Sequence, residues 1–209
     1  MELLIQIADN LEQGEDEKVT ELTRQAIAQH ISPKDILEKG LITGMSKVSE
    51  LFKAHEIFLP EVLLAAKAMC AGLVEIKPLL AKEGIPVIGK VVIGSVQGDL
   101  HDIGKNLVGI MLKGAGFEII DLGNDVAPEK FIDIAIKENA HIIGMSALLT
   151  TTMPVMKKVV QLLKQQNLYG KIKVIIGGAP VTEEYAHEIG AHSYGYDGAN
   201  AVDRVKQLL

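Results

Sequence analysis

The sequence is poor in the residues that covalent cross-links and aromatic binding sites require. Its 209 residues include one cysteine, Cys70, no tryptophan and only 4% aromatic residues. A single cysteine cannot form an internal disulfide, and so few rings offer little surface on which a flat ligand could stack. A large ligand would have to be held mainly by the backbone and by aliphatic side chains.

Basic clusters and long apolar runs are missing as well. The 21 Lys and Arg residues are scattered among 27 Asp and Glu residues, which gives a net charge of −6 and leaves no basic stripe for a nucleic-acid backbone. We find no charged-then-apolar leader and no apolar stretch long enough to cross a membrane. We therefore expect a cytoplasmic protein that binds neither nucleic acid nor membrane.

The first part of the chain, 1–83, has apolar residues at helical spacing. Ser32 is a predicted N-cap followed by Pro33, and Leu59-Pro60-Glu61 opens a later helix in the same way. Short connections between such helices favour an antiparallel arrangement. We predict a four-helix bundle, with examples of the helical spacing at Leu3, Leu4, Ile7 and Leu11, and at Val19, Leu22, Ala26 and Ile27.

The second part, 89–209, alternates short β-branched runs with amphipathic stretches. Such alternation predicts βα units and a parallel sheet covered on both faces. We expect a Rossmann-like or flavodoxin-like domain with strand order 2-1-3-4-5, preceded by a linker at 84–88 that contains Gly84 and Pro86. The five predicted strands are Val91–Val96, Glu118–Leu122, His141–Ser146, Val174–Ile176 and His192–Tyr196.

Three loops of this domain contain unusual residues, at 98–104, 146–152 and 177–178. Each has an ordinary structural explanation: His101 could start a helix, Ser146 could be a satisfied buried hydroxyl, and Gly177-Gly178 could form a tight turn. However, the loops follow strands one, three and four, and ligands of doubly wound sheets bind where such loops meet. We expect these loops to form one site.

The residues of these loops match a three-part signature. Asp99-x-His101-x-x-Gly104, Ser146-x-Leu148 and Gly177-Gly178 are separated by 41 and 28 residues. This pattern resembles the cobalamin-binding domains of methionine synthase, of B12-dependent mutases and of the corrinoid proteins of methyltransferase systems. The segment 48–63 is similar to the helical cap of the methyl-transferring members, which the mutases lack. The resemblance implies a cobamide cofactor, with its cobalt, and favours methyl transfer.

The resemblance also implies a role for each matching residue. His101 would be the lower axial ligand of cobalt, Asp99 would bond its second ring nitrogen, and Thr152 would end the relay where the family has serine. Further residues would contact the cofactor. Ser146 would meet the buried nucleotide base and Gly177 and Gly178 would make room for the nucleotide tail, with Gly98, Asp102, Ile103, Gly104, Leu148 and Thr150 as additional contacts.

Two apolar residues of the cap match residues that cover the upper face of the cofactor in the family. They are Phe52 and Leu59, and because Pro60 interrupts the helix, we expect Phe52 on a helix and Leu59 in the loop after it. Phe58 is an alternative to Leu59. These side chains could instead simply close the core of the bundle. His55 departs from the family, which has glycine there.

The function that the resemblance implies is that of a methyl carrier. Cobalt(I) would take a methyl group from a methylated substrate and pass it from methyl-cobalt(III) to an acceptor, with His101, Asp99 and Thr152 adjusting the lower ligand and its proton. The sequence contains no Cys/His zinc cluster, catalytic triad or Walker-type loop. The implied partners are therefore a substrate-specific methyltransferase, a second methyltransferase serving tetrahydrofolate or coenzyme M, and a reductive activase.

Three other functions are compatible with parts of the sequence. A B12-dependent light or redox sensor also places a helical bundle before this domain, but it would need a DNA-binding module. A small subunit of a B12-dependent mutase would use the second domain without the cap. A cofactor-free, flavodoxin-like binding protein would make the three-part signature a coincidence.

Overall fold

The computed structural model describes residues 2–82 and 88–209. The described residues divide into two compact units, one containing the helices of the first part and the other containing the sheet. Apart from Ile88, the predicted linker at 84–88 lies outside the described residues.

The first unit consists of four helical regions, as predicted. The third region is continuous but changes its winding, because a π-helical segment, η1, lies between two α-helical ones. Its start is fixed by Ser32, whose Oγ accepts a hydrogen bond from the Asp35 N–H at 3.0 Å. The elements are α1 Glu2–Glu12, α2 Asp16–Ala28, α3 Pro33–Asp35, η1 Ile36–Ile42, α4 Thr43–Lys53 and α5 Leu59–Lys82.

The turn between α4 and α5 differs from the prediction. Leu59 is the first residue of α5, so the prediction that it lies in a loop is wrong. The start of α5 is held by Glu61, whose Oε2 accepts the Phe58 N–H at 3.0 Å. Proline at the second helical position is compatible with this start, because its missing N–H would have no partner within the helix.

The second unit is built on a five-stranded parallel sheet in the order β2-β1-β3-β4-β5, which confirms the predicted topology. Every residue of β1 after Lys90 is buried, as expected for a strand covered on both faces. The register places Ser95 of β1 beside Ser146 of β3 and Ser146 beside Gly177 of β4. The strands are β1 Lys90–Ser95, β2 Glu118–Asp121, β3 Ile142–Ser146, β4 Lys173–Gly177 and β5 Ser193–Gly195.

Helices cover the two faces of this sheet. One face packs its buried residues, such as Val92 and Ile143, against α7, α8 and α9, and Ile93 lies beside α6 at Gly109. Within residues 2–82 and 88–209, every helix is too short or too polar to cross a membrane. The helices of the second unit are α6 Ile103–Gly114, α7 Pro128–Lys137, α8 Pro154–Gln165, α9 Glu183–Ile189 and α10 Gly198–Gln207.

Candidate functional site

The loop between β1 and α6 presents His101 at the carboxyl edge of the sheet. The strand ends in a turn in which Asp99 N–H donates to Val96 O at 3.0 Å, and Gly98 has the positive φ of 84° that this turn requires. Helix α6 begins only at Ile103. His101 therefore lies in the loop before the helix and does not start it.

The ring of His101 is oriented by a buried carboxylate. Asp99 has no exposed surface, and its Oδ1 lies 2.8 Å from His101 Nδ1 and 3.1 Å from the His101 backbone nitrogen. An ionised carboxylate only accepts hydrogen bonds, so in the neutral imidazole Nδ1 carries the proton and Nε2 keeps a free lone pair. The side chain of His101 is 53% exposed, and Nε2 is therefore available to a metal.

The second oxygen of Asp99 fastens the loop between β3 and α8. Oδ2 accepts hydrogen bonds from the backbone N–H groups of Leu148 at 2.7 Å and Leu149 at 3.3 Å, and it lies 2.9 Å from Thr152 Oγ1. Thr152 Oγ1 is also 2.8 Å from Leu149 O, so its single proton has two acceptors within reach. One carboxylate thus joins the histidine to a second loop, as the convergence of the loops predicted.

These contacts determine the charge of Asp99. Burial by itself raises the pKa of the Asp99 carboxyl, but hydrogen bonds from Leu148 N–H, from the ring and the backbone of His101, and from Thr152 lower that pKa to about 2. The carboxylate therefore remains ionised at neutral pH. A carboxylate that accepts the Nδ1 proton holds the imidazole in one orientation and one tautomer, which is the usual arrangement for a metal-ligating histidine.

Two residues that support this loop were not among the predicted site residues. Ser95 is fully buried, and its hydroxyl donates to His101 O at 2.6 Å. Asp125 Oδ1 accepts the Gly98 N–H at 2.7 Å, while Asp125 N–H donates to Asp99 O at 3.0 Å. Ser95 could have been noticed as a hydroxyl in an otherwise apolar buried strand.

The two glycines at the end of β4, Gly177 and Gly178, have a structural reason within the protein itself. A Cβ on Gly178, whose φ is 129°, would collide with Ala147 O, and a Cβ on Gly177 would lie 2.8 Å from Gly195 O. Neighbouring backbone therefore already requires glycine at both positions. Room for a ligand is not needed to explain them. Ser146 is half-buried at the end of β3. That it meets the nucleotide base of a cofactor remains a prediction.

The surroundings of His101 fit a large ligand with a broad apolar surface. A Cβ on Gly104 would meet no atom within 4 Å, so no neighbouring residue explains the glycine there. Two exposed aliphatic side chains lie near the histidine in sequence, Leu100 of the loop at 69% and Ile103 at the start of α6 at 74%. Leu148 is also exposed, and its backbone N–H donates to Asp99. An imidazole ligand in an aliphatic surround suits the cobalt and the corrin ring of a cobamide.

The remaining predicted residues are placed as follows. Asp102 is half-buried, and its carbonyl accepts the Asn106 N–H at 2.8 Å in the first turn of α6, whereas Thr150 is exposed in the loop that contains Thr152. In the first unit, Phe52 and Leu59 are both half-buried. That they cover a cofactor remains a prediction.

Fold and site together define a cobamide-binding protein, with an imidazole ligand presented at the carboxyl edge of a parallel sheet. Comparisons with known proteins agree. Two family models described as "B12 binding domain" match residues 89–205 and 3–77. The chain is 42% identical over 207 residues to dimethylamine corrinoid protein 3 of Methanosarcina acetivorans, covering 99% of this chain and 97% of that protein. It is 40% identical to trimethylamine corrinoid protein 1 of Methanosarcina mazei, covering 100% and 97%.

Solved structures extend this similarity to the fold. The methanol:cobalamin methyltransferase complex of Methanosarcina barkeri matches with a TM-score of 0.86 at 33% identity, covering 99% of this chain and 80% of that chain. A cobalamin-binding protein of Desulfitobacterium hafniense matches with a TM-score of 0.82 at 31% identity, covering 99% and 98%. The chain therefore belongs to the B12-binding corrinoid proteins of methyltransferase systems, and its cofactor is a cobamide.

Proposed function

We propose that this chain carries methyl groups from a methylated amine to tetrahydrofolate or to a thiol such as coenzyme M. The observation that carries the proposal is the His101 imidazole, which is supported by buried Asp99 and leaves Nε2 free at the sheet edge. The choice of a methylamine is supported by the relatives, which are named for dimethylamine and trimethylamine. The proposed partners are a methylamine-specific methyltransferase, a second methyltransferase that serves the acceptor, and a reductive activase.

The residues of the site hold the lower side of the cofactor in this proposal. When bound, the cobamide supplies a cobalt that accepts and releases a methyl group. His101 Nε2 would ligate the metal, and Asp99 would keep the ring in the orientation and tautomer that ligation requires. Thr152 can turn its hydroxyl proton between Asp99 Oδ2 and Leu149 O. It can therefore add or remove one hydrogen bond to Asp99 when the imidazole binds or leaves.

The lower ligand can be tested without any partner. Anaerobic reconstitution of the full chain with hydroxocobalamin should give one corrinoid per chain. The cobalt(II) form of protein labelled with nitrogen-15 histidine should show coupling to nitrogen-15 in electron paramagnetic resonance, which distinguishes histidine from the nitrogen-14 of the cofactor's own base. His101→Ala should remove that coupling, whereas His187→Ala, which changes an exposed residue of α9, should keep it. Nitrogen-15 coupling that survives His101→Ala would show that the ligand assignment is wrong.

The methyl donor is tested with the reduced, reconstituted protein. We would add dimethylamine, trimethylamine, methanol or a methoxylated aromatic compound, each with its own methyltransferase, and follow methylation of the cobalt by its visible spectrum. Methylation by an amine, followed by transfer to tetrahydrofolate or coenzyme M, is the expected result. Failure of every donor, together with a change of assembly state in light, would instead favour a sensor.

A further inference from the structure

We propose that Ser95 is a positioning residue for the cobalt ligand, because its buried hydroxyl fixes the main chain of His101. This inference rests on the proposed role of His101. Ser95 lies at the end of β1, has no exposed surface, and donates from Oγ to His101 O at 2.6 Å. It touches no reacting atom, so any effect on the cofactor must act through the histidine.

Ser95 is itself rigidly placed. Its N–H donates to Gly123 O at 3.0 Å, and its carbonyl accepts the Val126 N–H at 3.0 Å. Its Cα is also in register with Ser146 of β3. A hydroxyl on a central strand that is held from both sides has little freedom to move, so the carbonyl to which it donates is held as well.

Ser95 and Asp99 fix different parts of the histidine. Asp99 Oδ1 contacts Nδ1 and the backbone N–H of His101, whereas among the described residues the carbonyl of His101 receives a hydrogen bond only from Ser95. The preceding carbonyl, that of Leu100, has a longer contact of 3.4 Å with exposed Asn124. Ser95 is therefore the buried group that fixes the main-chain position from which the imidazole projects, while Asp99 fixes the orientation of the ring.

The consequence concerns the bond between His101 and the metal. A ligand must be held within about 0.5 Å of its productive position, and residues that support metal ligands typically change metal affinity by about 10- to 100-fold when they are replaced. Without the Ser95 hydroxyl, the His101 carbonyl would turn to solvent and the imidazole would be less well placed. We expect weaker cobamide binding and a weakened axial nitrogen bond while the fold persists.

The matched pair Ser95→Thr and Ser95→Val isolates the hydroxyl, because the two variants have nearly the same shape and differ in that group. Ser95→Ala gives the same comparison against the wild type without added methyl groups. We would titrate each full-length apoprotein, labelled with nitrogen-15 histidine, with hydroxocobalamin and record the nitrogen-15 coupling of the cobalt(II) form. We expect Thr to behave as the wild type, and Val and Ala to bind about tenfold more weakly with reduced coupling.

A double-mutant cycle with His101→Ala decides whether Ser95 acts through the histidine. If it does, the difference between Thr and Val disappears when His101 is absent. The inference would be overturned if Ser95→Thr and Ser95→Val differed equally in hydroxocobalamin affinity in the His101→Ala background, or if they did not differ in the wild-type background. The proposed function fails separately: it fails if His101→Ala itself leaves affinity and nitrogen coupling unchanged, whatever Ser95 does.

Discussion

At the scale of single residues, the site depends on a buried charge. Moving a carboxylate out of water is costly unless hydrogen bonds replace those of the solvent. Asp99 meets this condition with donors from two loops, because Oδ1 bonds His101 and Oδ2 bonds Leu148, Leu149 and Thr152. The orientation of the ligand and the position of the β3–α8 loop are therefore set by the same side chain.

Asp99 should make the stability of the apoprotein depend on pH in the acid range. Its pKa in the folded state is about 2, below the ordinary value of 3.8, so its contribution is complete above about pH 5 and is lost as the pH falls through the folded pKa. The full contribution of this pKa shift to the free energy of unfolding is about 2 kcal/mol, and about half of it is lost at pH 3. Urea unfolding at pH 6 and pH 3 should show a smaller advantage of wild type over Asp99→Asn at the lower pH.

The control for this measurement is Asp133→Asn, which changes an exposed carboxylate of α7. The free energy of unfolding should differ little between the wild type and this variant, and the difference should change less between the two pH values than it does for Asp99→Asn. Exposed carboxylates with lowered pKa values, such as those of Glu21 and Asp35, are present in all three proteins and cancel in the differences. An advantage over Asp99→Asn that does not change with pH would contradict the prediction.

At the scale of elements, the end of α4 explains why glycine is expected at position 55. Glu56 N–H donates to Leu51 O at 3.0 Å and His55 N–H to Phe52 O at 3.1 Å, the pattern of a helix end in which residue 55 is left-handed. His55 has a φ of 59°. The backbone therefore adopts the conformation that suits glycine, and the histidine tolerates it at a cost.

Replacing this histidine should therefore stabilise the protein. We expect His55→Gly to raise the free energy of unfolding by about 0.5 to 1 kcal/mol, because the gain in the left-handed conformation exceeds the added entropy of the unfolded chain. In contrast, His187→Gly, in the last turn of α9, should lower that free energy by about a few tenths of a kcal/mol, because histidine forms helix only slightly better than glycine does. Chemical denaturation of both variants checks this. A loss of stability in His55→Gly would show that the histidine side chain makes a contribution of its own.

Two glycines of the site should respond to alanine in opposite ways. Gly178→Ala should destabilise the apoprotein by more than about 2 kcal/mol, since its φ is positive and a Cβ would collide with Ala147 O. Gly104→Ala adds a methyl group in open space at the start of α6, so the apoprotein should be unchanged or slightly more stable. Its affinity for hydroxocobalamin should nevertheless fall, because the methyl group would occupy the ligand's space. Unaltered affinity in Gly104→Ala would place the ligand away from α6.

The elements also show which features can be predicted from sequence. Strands and helices follow local periodicity and glycine or proline breaks, which predict the bundle and the five βα units. The strand order 2-1-3-4-5 is predicted because it is a common order for such units. The π-helical segment was not predicted. It contains Gly40, where a Cβ would lie 3.2 Å from Ile7 Cγ2, a contact between distant parts of the chain that local periodicity does not reveal. The role of Ser95 depends on a turn that brings the His101 carbonyl back to β1, and the need for glycine at position 178 depends on the register of β3 and β4.

At the scale of the whole molecule, cobamide binding should be coupled to global unfolding. A ligand that binds only the native state slows hydrogen exchange of amides that open by global unfolding by the factor 1 + [L]/Kd. At a free hydroxocobalamin concentration of 100 times Kd, we expect about 100-fold slower exchange in strands such as β1 and β3, which end at the site. Mass spectrometry of the full chain would measure this in both units at once.

The same exchange experiment tests the part that the helical unit plays in binding. Every predicted site residue other than Phe52 and Leu59 lies in the second unit. If these two residues cover the cofactor, amides at the end of α4 and the start of α5 will also exchange more slowly in the protein loaded with cofactor. His101→Ala at the same free concentration should lose most of the protection in the strands, because its Kd is larger. Protection limited to the surface loops, without the strands, would show that binding does not stabilise the fold of the second unit.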